Sequence, residues 1–166
     1  MQPQDPLARR SLAMAYEGDE DWKDLLEVSD PAVGFRGAEY EGYYYRAEAY
    51  YNLYRGQASH FPEIEGLLRK SLALNPGFAA SHFLMGKLQL DRGAYREAVE
   101  SLGRATALDS DLSGAYYNLA IAYQKLGDSD RSSEAFAKFR AVSQRTKESG
   151  KSLQYEIVGD PGQTNR

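Results

Sequence analysis

The chain has 166 residues and a net charge of −4, and it is 42% hydrophobic, 27% charged and 12% aromatic. This length suits one globular domain. The acidic balance gives no support to the concentrated basic surface that nucleic-acid binding requires. No apolar run approaches the roughly 18 residues that span a bilayer, so neither a nucleic-acid partner nor direct membrane insertion is expected.

The residues that usually carry chemistry are scarce. There is no cysteine, which excludes disulfides and thiolate sites and fits a soluble protein of either the cytoplasm or the periplasm. The two histidines, His60 and His82, form no metal-binding spacing, and no phosphate-binding glycine loop occurs. We therefore predict no catalytic residue, no metal site and no cofactor, and we assign the acidic clusters at residues 17–21 and 39–41 to solvated turns and caps.

Residues 1–39 are predicted to form a helical segment. Ala13 and Tyr16 stand 34 positions before Ala47 and Tyr50, which indicates a degenerate copy of a pattern found later in the chain. A partner helix over about residues 21–29 is cut short by Pro31. Residues 2–6 are typical of a linker, so whether the chain is a piece of a longer protein stays open.

The next unit, residues 40–78, is unusually rich in tyrosine. Seven of the 13 tyrosines lie between Tyr40 and Tyr54, in a predicted helix over residues 40 to about 54. A second helix ends before Pro76, which prevents its continuation. Matching this unit to the later ones requires about five extra residues within 55–62, and we place them in a turn because loops tolerate insertions.

Residues 79–112 and 113–146 repeat one pattern at a spacing of 34 residues. Gly86 corresponds to Ala120, and Gly93 corresponds to Gly127. Each unit is predicted to contain two amphipathic helices joined by a turn whose glycine ends the first helix. A small residue in mid-helix indicates that another helix crosses closely, since glycine there costs about 1 kcal/mol relative to alanine.

The tail, residues 147–166, departs from this pattern. Residues 159–162 are typical of a turn. Residues 151–158 fit a short helix or an extended strand, and the sequence leaves both open.

A helix-turn-helix unit of 34 residues with these small, aromatic and glycine positions resembles the tetratricopeptide repeat (TPR). The stretch from Tyr116 to Asp128 is close to the family consensus. The resemblance implies an all-α fold, a right-handed α-α superhelix, with three repeats and a possible degenerate one at the N-terminus.

In this family the first helices of successive repeats line a concave groove that holds a peptide. The predicted binding site consists of residues at these groove positions and of Asn118, an asparagine that is frequent in the family at the position after that of Tyr117. Its members are Tyr44, Glu48, Tyr51, Asn52, Phe83, Lys87, Asp91, Tyr117, Asn118, Ile121, Gln124 and Lys125. The clamp with which related domains hold a peptide carboxylate is not reproduced, because Tyr44 and Glu48 stand where that clamp has lysine and asparagine.

The tyrosine-rich helix is predicted to divide by face. Tyr43, Ala47, Tyr50 and Tyr54 follow a helical spacing that predicts core. Tyr44 and Tyr51 are predicted to face the groove in a row with Phe83 and Tyr117. Burial of this row against a neighbouring helix, or under the N-terminal segment, is the alternative.

The resemblance implies a non-catalytic protein-interaction module, with a scaffold or assembly role, that binds a peptide segment or a partner helix. Two other hypotheses stay open. The first repeat could form a homo-oligomer by burying Tyr44 and Tyr51 against a copy of itself, or the chain could be a secretion-type chaperone for a hydrophobic export substrate.

Overall fold

A computed structural model describes residues 6–30, 35 and 37–158, with side chains for residues 7–30, 35 and 37–149. Within these residues all regular secondary structure is helical. A short 3-10 helix, Ala58–His60, lies inside the predicted insertion. The eight α-helices are α1 Pro6–Gly18, α2 Trp22–Val28, α3 Glu39–Leu53, α4 Phe61–Leu74, α5 Ala79–Asp91, α6 Tyr95–Leu108, α7 Ser113–Lys125 and α8 Ser129–Val158.

The helices form four consecutive pairs: α1 with α2, α3 with α4, α5 with α6, and α7 with α8. The second helix of each pair packs on its partner and on the first helix of the following pair. No helix can bury its apolar side alone, so the pairs stabilise one another along the array. The arrangement is the predicted right-handed α-α superhelix.

Two glycines end the first helices of the later pairs, as predicted. Gly93 and Gly127 have φ angles of 74° and 79°, a left-handed conformation that strains residues with a Cβ atom. After Gly127, the Asp128 carboxylate accepts a hydrogen bond of 3.0 Å from the backbone N–H of Arg131. This bond caps the start of α8.

The small residue in mid-helix also serves the predicted purpose. A Cβ atom built on Gly86 would lie 2.5 Å from Cγ of Leu102 on α6, which is too close for two carbon atoms. Its counterpart Ala120 is fully buried. The close crossing of paired helices therefore explains why glycine and alanine hold this position.

The N-terminal segment is part of the main core. Ala13, Leu25 and Phe35 lie in the same cluster of buried residues as Ala47 and Leu84. The helix α2 covers nearly the stretch predicted for the partner helix. Within residues 1–39 the structure describes the helices α1 and α2, while the division of the chain into units stays a prediction.

The last helix is longer than predicted. At 30 residues, α8 runs past residue 146 without a break and ends at Val158. Residues 151–158 are therefore helical, and the strand alternative is wrong. The turn predicted at residues 159–162 and residues 2–5 of the predicted linker lie outside the described residues, and Pro6, the last residue of that linker, begins α1. In the described part, no helix has the length and apolar character needed to cross a membrane.

Candidate interaction surface

The predicted site residues lie on the first helices α3, α5 and α7, on what we call the first-helix face. The structure divides them into two halves. The N-terminal half consists of Tyr44, Glu48, Tyr51, Asn52, Lys87 and Asp91. The C-terminal half consists of Phe83, Tyr117, Asn118, Ile121, Gln124 and Lys125.

Tyr44 is covered by the N-terminal helix. Its side chain is only 7% exposed, and its hydroxyl donates a hydrogen bond of 3.0 Å to Oε1 of Glu17 on α1. Its ring meets the edge of Phe78 at a centroid distance of 5.3 Å. Burial, with the nearby carboxylates of Glu48 and Glu17, raises the pKa of Tyr44 well above its ordinary value.

Tyr51 bridges α3 and α5. It is 4% exposed, and its hydroxyl donates a hydrogen bond of 2.7 Å to Oδ2 of Asp91. Lys87 Nζ lies 4.7 Å from the centre of the Tyr51 ring, a cation–π distance. Burial raises the pKa of Tyr51 and lowers that of Lys87. The aromatic, the cation and the carboxylate therefore satisfy one another within the chain.

The predicted division of the tyrosines by face is wrong for α3. Tyr44 and Tyr51, predicted to face an open groove, are buried, whereas Tyr43, Tyr50 and Tyr54 are each partly exposed. The physical reason is that α3 has a first helix on either side, α1 and α5. Side chains that point along the first-helix face therefore enter the gaps between these helices. Ala47, also predicted as core, is fully buried.

The partly exposed tyrosines have other partners. Tyr54 stacks on His60 at a centroid distance of 3.9 Å. Lys70 Nζ lies 5.5 Å from the Tyr43 ring, and Arg46 Cζ lies 5.8 Å from the Tyr50 ring. Tyr50 also packs against the main cluster of buried residues, so its predicted core position is partly confirmed.

Two carboxyl groups meet behind Tyr44. Burial, followed by contact with Glu17, raises the pKa of Glu48 to about 8. Its buried Oε2 atom accepts no hydrogen bond from the described residues. Burial and the neighbouring carboxyl group of Glu17 disfavour the charged form of Glu48, so Glu48 is largely protonated at neutral pH.

Asn52 is the remaining member of the N-terminal half. Its side-chain Nδ2 donates a hydrogen bond of 2.9 Å to the backbone oxygen of Glu48 on its own helix. All six members of this half thus have contacts inside the chain. The two tyrosines are buried, whereas Asp91 is exposed.

The C-terminal half is open in comparison. Phe83 is partly exposed and packs on the start of α7, where a Cβ atom added to Gly114 would lie 3.1 Å from its Cζ. Tyr117 is 45% exposed. Its ring meets the edges of Phe136 and Phe139 at centroid distances of 5.9 and 5.4 Å.

Polar groups lie along the same helix. Asn118 Nδ2 donates a hydrogen bond of 2.8 Å to the backbone oxygen of Gly114, which leaves its carbonyl oxygen as the group that can accept a bond from a ligand. Ile121 is partly exposed, and Gln124 and Lys125 are exposed. That these residues bind a peptide stays a prediction.

Sequence reasoning missed the polar contacts of α1. Arg10 Nε lies 2.6 Å from Oε2 of Glu41, and Glu41 is 5% exposed. The assignment of Glu41 and Glu17 to solvated turns and caps is therefore wrong, whereas it fits Asp21, which caps α2. Arg10 holds the fifth position of its unit and Glu41 the second position of the next unit, as Phe83 and Gly114 do. The repeat register could therefore have predicted the contact between Arg10 and Glu41.

The described residues give no support for metal binding. They contain no group of three or more histidine, aspartate or glutamate side chains that could hold an ion. His82 is buried, and its Nε2 lies 2.9 Å from the backbone oxygen of Pro76. His60 stacks on Tyr54. Both histidines therefore have packing contacts.

Comparisons with known proteins agree with this architecture. The family model described as TPR repeat matches residues 90–127. Over 75 residues, or 45% of the chain, the sequence is 32% identical to Protein O-mannosyl-transferase TMTC3 of Mus musculus. The chain spans only 8% of the length of that protein.

Solved structures of similar fold cover most of the chain. A thermophilic TPR protein in Thermus thermophilus is 26% identical, with a TM-score of 0.71 over 94% of this chain and 82% of its own. The fold is also shared with MamA, at 19% identity, a TM-score of 0.65, and coverage of 89% of this chain and 83% of that one. A MamA fragment from Desulfovibrio magneticus is 17% identical, with a TM-score of 0.64 over 86% of this chain and 77% of its own. The matched repeat and these solved structures are consistent with the tetratricopeptide-repeat resemblance seen in the sequence.

Proposed function

We propose that this chain is a non-catalytic interaction module that binds a peptide segment or a partner helix with the C-terminal half of the first-helix face. The TPR fold supports a protein-interaction scaffold role. The observation that carries the finer proposal is Tyr117, an aromatic ring 45% exposed at a groove position. Large exposed aromatic side chains are typical anchors of protein interfaces.

The neighbours of Tyr117 suit an extended or helical peptide. Phe83 and Ile121 flank it with apolar surface that is partly exposed. The free carbonyl oxygen of Asn118 can accept a hydrogen bond from a peptide N–H. Lys125, exposed at the end of α7, favours a ligand with a carboxylate near one end.

Selection from a random peptide library on the purified chain tests this proposal. The selected peptides are then titrated into Tyr117→Ala and into the control Tyr116→Ala, whose ring lines a separate cavity of about 130 Å³ with Tyr123 and Lys138. We expect Tyr117→Ala to weaken binding at least about tenfold and Tyr116→Ala to leave it unchanged. Failure to select any peptide, or equal affinities for both variants, would contradict the proposal.

The structure bears differently on the two other hypotheses, dimerisation through the first repeat and a secretion-type chaperone role. Dimerisation through Tyr44 and Tyr51 is not available, because both are buried inside the chain. A secretion-type chaperone role rests on length and architecture alone, and no described contact favours it. Self-association by another surface is taken up below.

A further inference from the structure

The two ends of the helix array leave several positions more exposed than their counterparts in its interior. In α7, Ala115 and Ala122 are fully buried in the cluster that includes Ala105 of α6, and Leu119 packs on the same cluster. The preceding helix pair thus covers this side of a first helix wherever there is such a pair.

Helix α1 has no described helix pair before it. In the repeat register its Leu7, Leu12 and Ala15 correspond to Gly114, Leu119 and Ala122 of α7. Leu7 is 72% exposed and Leu12 is 39% exposed, and Ala15 is also exposed, whereas Ala8, the counterpart of Ala115, is buried. We call Leu7, Leu12 and Ala15 the N-terminal end face.

The opposite end shows the complementary situation. Phe83 and Ala105 lie against α7, and Ala105 is fully buried. Their counterparts one unit later are Tyr117 and Phe139. Among the described residues no helix follows α8, and Tyr117 is left 45% exposed. We call Tyr117 and Phe139, with the flanking cations Lys125 and Arg140, the C-terminal end face.

The charges near the two end faces have opposite signs. Residues 17–30 contain seven acidic side chains and one basic one, whereas residues 138–149 contain four basic side chains and one acidic one. Some have partners within the chain, since Arg145 pairs with Asp111 and Lys138 with Glu134. Arg140 and Lys147 are exposed, as are Asp19, Glu20 and Asp24.

We propose that copies of this chain associate head to tail, with the N-terminal end face of one copy packed on the C-terminal end face of the next. Each face then regains the kind of cover that interior pairs have. In this register, Lys125 at the end of α7 approaches the acidic turn after α1 of the next copy. Two different faces meet, so the contact is heterologous and builds open chains of copies.

The contact between copies is looser than the contact between units. Phe83 approaches Gly114 so closely that a Cβ atom would lie 3.1 Å away, whereas Leu7 holds the glycine position in α1. Tyr117 and Leu7 must therefore meet at a larger spacing than Phe83 and Gly114. The association is accordingly reversible and depends on protein concentration.

Sedimentation velocity of the full chain over a concentration series is the first measurement. We expect the average sedimentation coefficient to rise with concentration beyond the dimer value, as open assembly requires. The rise should be smaller in about 1 M salt than in about 0.01 M salt, because salt screens exposed charges. A monomer at every concentration in low salt would overturn the proposal.

Two double variants test the heterologous geometry. Leu7→Arg with Leu12→Arg places cations on the N-terminal end face, and Tyr117→Glu with Arg140→Glu places acids on the C-terminal one. Each should be monomeric alone, because like charges then meet. An equimolar mixture should associate again, because the two unmodified end faces can meet and the two modified end faces carry opposite charges.

Retained self-association in either variant alone, or a mixture that stays monomeric, would overturn the head-to-tail contact. Circular dichroism checks that both variants keep the helical content of the wild type, and exposed sites favour this result. The Leu7→Arg, Leu12→Arg variant should also keep the peptide affinity described above, because its substitutions lie on α1. Failure of this inference is therefore distinguishable from failure of peptide binding.

Discussion

The two halves of the first-helix face use similar residues in opposite ways. Tyr44 and Tyr51 are buried, with hydroxyls bonded to Glu17 and Asp91, while Tyr117 is 45% exposed on two phenylalanine edges. Tyr44 and Tyr117 hold the same position of the repeat. The difference shows that a repeat position becomes core or surface according to whether a neighbouring first helix covers it.

Truncation of the two equivalent tyrosines should give the largest contrast. We expect Tyr44→Ala to lower the free energy of unfolding by about 3–5 kcal/mol, because it leaves a cavity between α1 and α3. Tyr117→Ala should cost about 1 kcal/mol, because half the ring is already in water. Urea unfolding measures both. Equal losses would mean that the two halves do not differ.

Burial of Tyr44 also makes one test of the predicted groove unsuitable, namely the joint truncation of the aromatic residues at the fifth position of each unit. Joint truncation of Tyr44, Phe83 and Tyr117 would have been read as a test of the groove. Because Tyr44 is buried, loss of binding in that triple variant would report unfolding as much as lost contact. Truncation of Tyr117 alone is the better test, because we expect it to weaken peptide binding with little loss of stability.

The buried carboxyl pair gives a contrast in pH dependence. The pKa of Glu48 is raised to about 8 in the folded chain from an ordinary 4.5. The folded state therefore binds the proton more tightly than the unfolded state, so its contribution is greatest at low pH and is lost as pH rises toward about 8. We expect the free energy of unfolding to fall by about 4 kcal/mol between about pH 5 and about pH 9.

The Glu48→Gln variant should flatten this profile, because the amide cannot ionise. Glu134→Gln is the control, since Glu134 is exposed and pairs with Lys138 at the surface, and it should keep the fall. Glu65, whose pKa is lowered by Arg69, titrates below this window. Lys87, whose pKa is lowered from 10.5 by burial, acts in the opposite direction nearer the alkaline limit. Identical profiles for wild type and Glu48→Gln would rule out the raised pKa of Glu48.

Loss of one hydroxyl should give the smallest effect. Tyr51→Phe removes the hydrogen bond to Asp91 and keeps the ring, so we expect a loss of about 1.5 kcal/mol. Tyr117→Phe removes a hydroxyl from an exposed ring and should change stability by less than about 0.5 kcal/mol. Thermal unfolding of both variants, at one pH, measures the difference. A larger loss in Tyr117→Phe would place a hidden partner on the open half.

Local periodicity was sufficient for the fold. Gly93 and Gly127 end their helices as expected, and Gly86 lies where α6 crosses. The roles of these glycines depend on interactions within one unit, so the spacing of the repeat was enough to predict them. The 30-residue length of α8 was missed, because its polar sequence past residue 146 carries no apolar stripe to follow.

The site was predicted less well, for a physical reason. Burial of Tyr44 depends on Glu17, which lies 27 residues earlier, and burial of Tyr51 depends on Asp91, which lies 40 residues later. Helical periodicity separates one face of a helix from another. It does not show which faces a distant helix covers, and the interaction surface is defined by that cover.

Chemical-shift mapping of the backbone amides with a selected peptide tests the central claim most directly. The account predicts that addition of the peptide shifts signals of Tyr117, Ile121 and Lys125 on α7, and leaves those of Glu17, Tyr44 and Tyr51 unchanged. Shifts at Glu17 and Tyr44 with none on α7 would contradict it, because the peptide would then have displaced α1 and bound the half that the folded chain fills by itself.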